Sequence, residues 1–294
     1  MEKLVDANPV RQVPLEGNVE TYDPRPAHLR AVRGFVDLKK IRKARLRIVV
    51  DSMHGCGERL LEELIGDGVL TIRADRHPLF GGTNPEPIGS NLRPLCDAVK
   101  MQRAHVGLAT DGDADRMGVV DDRGRYVSIQ LVFALLLLHL LRNRGERGAV
   151  VVRSANCTTM IDRICRAHDI DVVEVPVGFK YICQQMRQRD VLIGGEESGG
   201  IGFRGHIPER DGLLANLMLV EMLAMTRKRL SQLTDEIQAE FGRSVYDRVD
   251  MAYPLEKRTQ FIEQLKQKPP EDLVGVPITQ VSTLDGVKYL ARDG

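Results

Sequence analysis

The sequence predicts an α/β protein with two consecutive three-layer α/β/α domains, followed by an incomplete α+β domain. Three observations predict this fold class. Short apolar runs of strand length alternate with helical patterns over most of the 294 residues, as in the βαβ units of an open sheet. Two loops rich in glycine and acidic residues directly follow such runs, where open sheets bind ligands. Near residue 244 the alternation changes to strand, helix and strand. The predicted divisions are a linker (1–33), a first domain (34–146), a second domain (147–243) and the incomplete domain (244–294).

The first domain follows a proline-rich linker that contains a short helix near His28–Gly34. Its short apolar runs contain few polar residues. They predict parallel strands buried on both faces, because a strand with one face in solvent would alternate apolar and polar residues. Asp121–Gly124 predicts a hairpin turn, and the apolar run Leu131–Leu141 predicts a core helix. The predicted strands are Leu46–Asp51, Val69–Ala74 and Val106–Ala109, and the predicted helices end at Ile65 and span Leu92–Gln102.

The second domain repeats the same alternation, and the last segment departs from it. In the second domain we predict strands at Ala149–Arg153, Val172–Pro176 and Val191–Ile193, and helices at Thr158–Ala167, Lys180–Arg189 and Gly212–Arg229. In the last segment we predict strands at Val245–Ala252, Pro277–Thr283 and Val287–Leu290, and a helix at Thr259–Lys268.

The composition excludes several classes of partner. Lys and Arg number 42 against 41 for Asp and Glu, and this balance argues against binding nucleic acid through overall charge. Trp is absent and aromatic residues make up 4%, so stacking platforms for bases are not expected. The longest apolar run is too short to span a bilayer, so no membrane association is expected. Five cysteines without metal-finger spacing indicate free thiols in a reducing compartment, which predicts a cytoplasmic location.

The most informative motif is Thr110-Asp-Gly-Asp-Ala-Asp-Arg116, which lies between two apolar runs. The alternate carboxylates of Asp111, Asp113 and Asp115 can converge on one hard cation, whereas without a cation they would repel one another. Arg116 adds a donor fork that suits phosphate. The motif therefore indicates a divalent metal that handles a phosphorylated substrate, with a plain acidic turn as the alternative.

Two other interpretations of this loop can be compared with the metal site. An EF-hand requires Gly at its sixth position and Glu at its twelfth, and counting from Asp111 these positions hold Arg116 and Asp122, so that interpretation fails. Asp111 or Asp113 could instead be the nucleophile of an aspartyl-phosphate phosphatase. A third carboxylate and an Arg in the same loop favour the metal site.

The second motif is Gly195-Glu-Glu-Ser-Gly199, whose glycines permit close backbone approach. The Glu196 carboxylate can accept two hydrogen bonds from vicinal sugar hydroxyls, and Ser198 can add a third. A solvated glycine turn is the alternative. Downstream lie the cations Arg204, His206 and Arg210, and Arg210 sits just before a helix whose N-terminus favours phosphate.

The two motifs, in this order and spacing, resemble those of the α-D-phosphohexomutases, the phosphoglucomutase/phosphomannomutase family. The matching stretches are Phe80–Pro87, Ala109–Arg116, Pro176–Lys180, Gly195–Gly199 and Arg210–Gly212. The resemblance implies phosphoglucomutase-type α/β/α domains around a cleft. It also implies an intramolecular phosphotransferase, an isomerase of carbohydrate metabolism, that uses a phosphoserine and Mg²⁺ to interconvert hexose 1-phosphate and hexose 6-phosphate. Glucose 1,6-bisphosphate would serve as activator and intermediate.

The resemblance also implies roles for individual residues. Asp111, Asp113 and Asp115 would bind Mg²⁺, and Arg116 would steady the phosphoryl group. Glu196 and Ser198 would hold sugar hydroxyls, and Arg210 would contact phosphate and assist proton transfer. Lys180 and His206 are further substrate-binding candidates for the same cleft, and Glu197 beside Glu196 favours glucose phosphate.

The sequence departs from the family pattern in two places. The Ser-His-Asn-Pro loop that carries the family's nucleophile is absent, and Ser52 matches a turn of another domain. The Arg-x-Ser-Gly-Thr-Glu-Pro phosphate loop is absent too, and Asp285–Lys288 resembles the segment before it. We therefore expect a fragment that covers the second and third domains and part of the fourth, inactive as a mutase alone. The alternatives are a non-catalytic module that binds metal or sugar phosphate, half of a split enzyme whose partner chain supplies the missing domains, or an aspartyl-phosphate hydrolase.

Overall fold

The computed structural model describes residues 20–292, which form two α/β/α units and a further small sheet. The first unit contains a five-stranded sheet in the order β2-β1-β3-β4-β5. β1, β2 and β3 are parallel, and β4 and β5 are antiparallel additions at one edge. The strands are β1 (Ile48–Asp51), β2 (Val69–Ile72), β3 (Val106–Thr110), β4 (Met117–Val120) and β5 (Tyr126–Val127).

Helices cover both faces of this first sheet. The helices of this unit are α1 (Arg25–Arg33), α2 (Leu38–Ala44), α3 (Leu60–Ile65) and α4 (Arg93–Gln102). Helix α4 lies on one face, where Leu95 and Val99 pack against Val49 and Ala109. On the other face, α1, α2 and α3 contribute buried Leu29, Ile41 and Leu64 to a larger core. The helix predicted near His28–Gly34 is therefore α1, which lies within the predicted linker; residues 1–19 lie outside the described part of the chain.

The second unit repeats the strand layout of the first. Its sheet has the order β7-β6-β8-β9, with β6, β7 and β8 parallel and β9 antiparallel. The strands are β6 (Val150–Ser154), β7 (Val172–Val175), β8 (Val191–Gly195) and β9 (Ile201–Phe203). Its helices are α5 (Ile129–Leu138), α6 (Met160–Ala167), α7 (Phe179–Gln188), α8 (Gly212–Thr226) and α9 (Leu230–Phe241), and a π-helical turn, His139–Asn143, continues α5.

Helix α8 lies in the middle of the molecule and is buried over nearly its whole length. It contacts β3 and β4 of the first sheet and β9 of the second. Asn216 on this helix is fully buried, and its Nδ2 donates to the backbone oxygens of Ala109 and Gly212. The helix ends at Thr226, earlier than the predicted Arg229, because Arg227 adopts a left-handed conformation with φ of 55°.

The last segment contains helix α10 (Leu255–Gln267) and an antiparallel sheet of β10 (Asp272–Leu273), β11 (Val276–Ser282) and β12 (Lys288–Ala291). The strand predicted at Val245–Ala252 is wrong, because this stretch is irregular. Its alternating apolar residues, such as Val245 and Val249, are exposed and face no partner strand. Alternation alone cannot provide the neighbouring strand that a β-strand requires. The fold class, with two α/β/α units and a further sheet, is confirmed.

Candidate functional site

The two predicted loops follow equivalent strands of the two units. The acidic loop connects β3 to β4, and the Gly195–Gly199 loop connects β8 to β9. Their ends meet: Arg116 and Gly200 form an isolated antiparallel bridge, and Met117 N donates to Gly199 O at 3.0 Å. The topology thus brings the predicted metal loop against the predicted sugar loop, although about 80 residues separate them in sequence.

The acidic loop gathers three carboxylates. Asp111, Asp113 and Asp115 each offer an oxygen, and these oxygens lie within 4.8 Å of one another. Asp111 is 5% exposed, Asp115 is half-buried and Asp113 is exposed to the cleft. The sequence-predicted metal ligands are therefore brought together at one point.

Two observations indicate that this cluster fits a divalent cation. Burial, with the nearby charges of Asp115 and Asp113 adding to it, raises the pKa of Asp111 to about 7 against the hydrogen bond from Arg116 N. Asp115 Oδ1 and Arg116 Nε are buried without a hydrogen-bond partner among the described residues. A hard cation would stabilise the ionised carboxylates and satisfy the free oxygen, since oxygen donors suit Mg²⁺.

Arg116 lies behind this cluster. Its backbone N donates to Asp111 Oδ1 at 3.0 Å, and its Nε lies 3.6 Å from Asp111 Oδ2 and 3.7 Å from Asp115 Oδ1. These separations are longer than a good hydrogen bond. The guanidinium therefore lies near the acidic loop, and its Nε makes no hydrogen bond to the loop carboxylates.

Arg210 joins the two loops. Its Nε donates to Asp115 Oδ2 at 2.5 Å and its Nη1 to Glu196 Oε2 at 3.1 Å. Its guanidinium carbon lies 5.7 Å from the centre of the Phe179 ring. Burial opposes the charged form, but the bond to Asp115 and the charges of Asp115 and Glu196 raise the pKa of Arg210 above its usual value. The side chain therefore stays a cation at the meeting point of both loops.

Glu196 is 5% exposed and is held by three neighbours. Its Oε1 accepts from Gly178 N at 2.9 Å, its Oε2 accepts from Arg210, and its own N donates to Gly200 O. Ser198 lines a separate cleft of about 380 Å³ together with Glu197. The structure thus anchors Glu196 at the base of the loop and leaves Ser198 half-buried at a cleft wall.

Lys180 and Arg210 line one open cleft of about 770 Å³. Lys180 is the second residue of α7 and is exposed, with its Nζ 5.2 Å from the centre of the Tyr181 ring. Arg210 also lines a second cleft of about 640 Å³, which contains Asp113 and Asp115. Arg210 is therefore a shared wall between the cation-lined cleft and the acidic loop.

His206 is placed differently from the other candidates. Its Nε2 lies 2.9 Å from Asp211 Oδ2, and its ring packs edge-on against Phe35 with 5.2 Å between ring centres. The side chain is 5% exposed. His206 therefore contacts the start of α8, whose first turn Asp211 caps, rather than the open cleft.

Sequence reasoning missed several residues around the site. Glu197 accepts a hydrogen bond from Tyr246 and lies 3.7 Å from Arg248, so the segment after α9 crosses the Gly195–Gly199 loop. His28 on α1 contacts Asp211 at 2.7 Å from the opposite side. Tyr246, Arg248 and His28 lie outside the five matching stretches. The only signal in the sequence was that their side chains are charged or aromatic.

Ser52 is not available as a nucleophile in this arrangement. It is 1% exposed, and its hydroxyl donates to Glu58 O. All five cysteines are free thiols, as predicted. Within residues 20–292, no helix has the length and apolar character needed to cross a membrane.

Domain profiles of one family match most of this architecture. The profile described as phosphoglucomutase/phosphomannomutase, alpha/beta/alpha domain II, matches residues 26–124, and the domain III profile matches residues 130–241. The chain belongs to the phosphoglucomutase/phosphomannomutase family. This confirms the resemblance carried by the five sequence motifs.

Individual relatives agree with this family assignment. The phosphohexomutase-family chain is 29% identical to the phosphoglucomutase/phosphomannomutase of Thermococcus kodakarensis, over 95% of this chain and 59% of the relative. It is 32% identical to a protein of Methanosarcina acetivorans provisionally named phosphoglucosamine mutase, over 90% of this chain and 58% of that one. A crystal structure from Thermus thermophilus, of a protein provisionally named phosphomannomutase, superposes with a TM-score of 0.81 at 36% identity, over 95% and 60% of the two chains. The chain thus spans about 60% of the length of these relatives.

Proposed function

We propose that this chain forms the magnesium-binding and sugar-binding parts of a phosphohexomutase that interconverts hexose 1-phosphate and hexose 6-phosphate. One observation carries the proposal: Arg210 bonds Asp115 of the acidic loop and Glu196 of the sugar loop at the same time. The Arg210 guanidinium therefore links the carboxylates suited to a metal ion with the loop suited to sugar hydroxyls. A phosphorylated sugar carries both a phosphate, which can bind the metal ion, and hydroxyls, which can bind the loop.

Each residue has a defined task in this proposal. Asp111, Asp113 and Asp115 would hold Mg²⁺, which supplies positive charge that neutralises phosphoryl oxygens. Arg116, whose Nε is only loosely held, would turn its donors toward the phosphoryl group. Because phosphoryl transfer depends mainly on positioning and on neutralising charge, this donor set suits the reaction.

The sugar would lie between Arg210 and the second loop. The Glu196 carboxylate, which accepts from Arg210, can also accept hydrogen bonds from vicinal hydroxyls, and the Ser198 hydroxyl, on the wall of the separate cleft beside Glu197, can add one more. Lys180 lines the same cleft as Arg210 and would bind the phosphate that is not reacting. We propose glucose phosphate as the substrate on the strength of Glu197, and the mannose and glucosamine phosphates named for relatives are the competing substrates.

The phosphoryl donor in this proposal is a phosphoserine on a Ser-His-Asn-Pro loop, a motif outside the 294 residues. We propose that a further part of the polypeptide or a separate chain supplies it. The test is a coupled phosphoglucomutase assay with Mg²⁺ and glucose 1,6-bisphosphate, with and without the serine-bearing and C-terminal domains of a relative. Turnover only when those domains are added supports the proposal. Equal turnover without them would contradict it, and a hydroxylamine-sensitive phosphoenzyme would point to the hydrolase instead.

Binding can be tested on the chain itself. We expect calorimetry to detect glucose 1-phosphate binding in the presence of Mg²⁺, and to find it weakened in Asp113→Asn. The matched control is Asp235→Asn, since Asp235 is an exposed acid on α9 away from both loops. Binding that is equal with and without Mg²⁺ and unaffected by Asp113→Asn would remove the metal loop from the proposal.

A further inference from the structure

A second cluster of metal-ligating side chains lies beside the proposed active site and has no role in the proposed reaction. It consists of His28, His206 and Asp211, whose ligating atoms lie within 4.8 Å of one another. The three residues come from separate places: α1, the loop after β9, and the start of α8. Both imidazole Nε2 atoms approach the same carboxylate oxygen, Asp211 Oδ2, at 2.7 and 2.9 Å.

The donor set of this cluster differs from that of the acidic loop. Three carboxylates suit Mg²⁺, whereas imidazole nitrogens suit zinc, iron, nickel and copper. Two histidines and one carboxylate are a recurrent protein ligand set for such ions, and a site of this kind keeps further positions open. We propose that His28, His206 and Asp211 bind a divalent transition-metal ion, at a site separate from the magnesium loop.

Packing holds two of the three ligands in place. Asp211 is 5% exposed, and its other oxygen, Oδ1, accepts from Leu214 N at 2.9 Å, which directs Oδ2 toward the histidines. His206 is held edge-on against the Phe35 ring. Fixed ligands of this kind favour binding, because little conformational freedom is lost when the ion enters.

The third ligand gives the ion a way in. The His28 side chain is 37% exposed, and His28 and Asp211 line the cleft of about 640 Å³ that also contains Asp113 and Asp115. An ion entering from this cleft would meet His28 and Asp211 first, and His206 behind them, and it would replace the hydrogen bonds of the two imidazoles to Asp211. It would tie α1 to the start of α8, directly after Arg210. A transition-metal ion bound here would hold α1 against the start of α8, and it would leave the acidic loop free for Mg²⁺.

Cobalt absorption tests the proposal without any activity measurement. The chain is saturated with Mg²⁺ to occupy the acidic loop and is then titrated with Co²⁺. We expect one equivalent to give d–d absorption typical of a nitrogen and oxygen site, and Zn²⁺ to displace it. His28→Asn and His206→Asn should each weaken Co²⁺ binding by at least about 100-fold, because even changes to groups behind the ligands cost about 10–100-fold. His77→Asn, at an exposed histidine away from the cluster, is the matched control.

Two further measurements identify the groups that bind the ion. Cys56 lines the same cleft, so Cys56→Ser must leave the spectrum unchanged, and a thiolate charge-transfer band would place the ion on sulfur and overturn the proposal. If either histidine variant unfolds, paramagnetically shifted imidazole signals in the unaltered chain with Co²⁺ count the histidine ligands directly, and two are expected. No saturable Co²⁺ binding, binding that survives replacement of both histidines, or fewer than two shifted imidazoles would also overturn it.

Discussion

Arg210 Nε lies 2.5 Å from Asp115 Oδ2, which places a guanidinium from the second α/β/α unit in contact with the acidic loop of the first. The same guanidinium reaches Glu196 at 3.1 Å. Because the fork of an arginine can bond two carboxylates in fixed directions, these two contacts add a side-chain link to the backbone bridge between the acidic loop and the Gly195–Gly199 loop.

We expect Arg210→Lys to weaken glucose 1-phosphate binding by about 10–100-fold, although the charge is kept. A lysine ammonium is a point charge that cannot hold Asp115 and Glu196 in the same planar geometry. Isothermal titration calorimetry in Mg²⁺ measures the change. Arg142→Lys is the control, since Arg142 pairs with Glu240 on the surface. Binding that survives Arg210→Lys unchanged would show that charge alone is sufficient.

We expect Gly212→Ala to disturb the metal loop. A Cβ at this position would lie 2.4 Å from Arg116 O and 2.8 Å from Ala114 O, so the start of α8 or the loop must move. The expected cost is about 1–3 kcal/mol of unfolding free energy, together with weaker Mg²⁺ binding. Chemical denaturation and a Mg²⁺ titration measure the two effects.

Gly34→Ala is the matched control, because its Cβ would meet only Ala31 O at 3.3 Å. Equal effects of the two alanines on Mg²⁺ affinity would show that contact between α8 and the loop is unimportant.

We expect Glu221→Gln on α8 to lower the unfolding free energy by about 1–3 kcal/mol. Glu221 is 3% exposed and accepts from His139 Nε2, Arg144 Nη1 and the backbone N of Asp37. The neutral amide cannot accept all of these bonds, so buried donors lose their partner. The control Glu240→Gln breaks an exposed pair with Arg142 and should cost at most about 1 kcal/mol. Urea denaturation measures both variants. Equal losses of unfolding free energy in Glu221→Gln and Glu240→Gln would contradict the prediction.

Glu221 also predicts a pH dependence. Although burial opposes its ionisation, the hydrogen bond from His139, then that from Asp37 N and the charge of Arg144, lower the pKa of Glu221 to about 2. A depressed native pKa stabilises the fold above the ordinary value of 4.5, and this stabilisation is lost as the pH falls from about 4.5 to about 2. Glu221→Gln should therefore flatten the acid limb of a plot of unfolding free energy against pH. An unchanged acid limb would contradict this role.

The sequence predicted the elements whose pattern is local. β1, β3, β6 and β8 are short, largely apolar runs, and their predicted positions agree with the structure within a few residues. Helix α9 was missed and the strand at Val245–Ala252 was wrong. Both errors have one cause, since the local pattern does not show whether another element packs against a segment. Leu233 and Ile237 of α9 are buried, whereas Val245 is exposed. Packing partners of this kind lie far away in the chain.

The candidate site shows the same division. The three aspartates of the acidic loop lie within five consecutive residues, so their convergence could be predicted from spacing. The contact of Arg210 with Asp115 could not, because 95 residues separate them and their approach depends on how the two sheets pack. His206 was predicted to line the substrate cleft. In the structure its ring contacts Asp211, and the sequence motif gives no sign of this contact. The roles of these residues in binding and catalysis stay predictions.

Helix α8 has a consequence for how the chain folds and is degraded. Its buried residues join one continuous apolar core that runs from Leu29 of α1 to Phe241 of α9, through both sheets. The profile boundary between residues 124 and 130 therefore divides a shared interior. Residues 26–124 made alone would display the apolar faces of β3 and β4 to solvent, a surface that chaperones and proteases recognise. The two units should thus unfold together in one transition, and a protease cut between them should leave a nicked complex rather than two separable pieces.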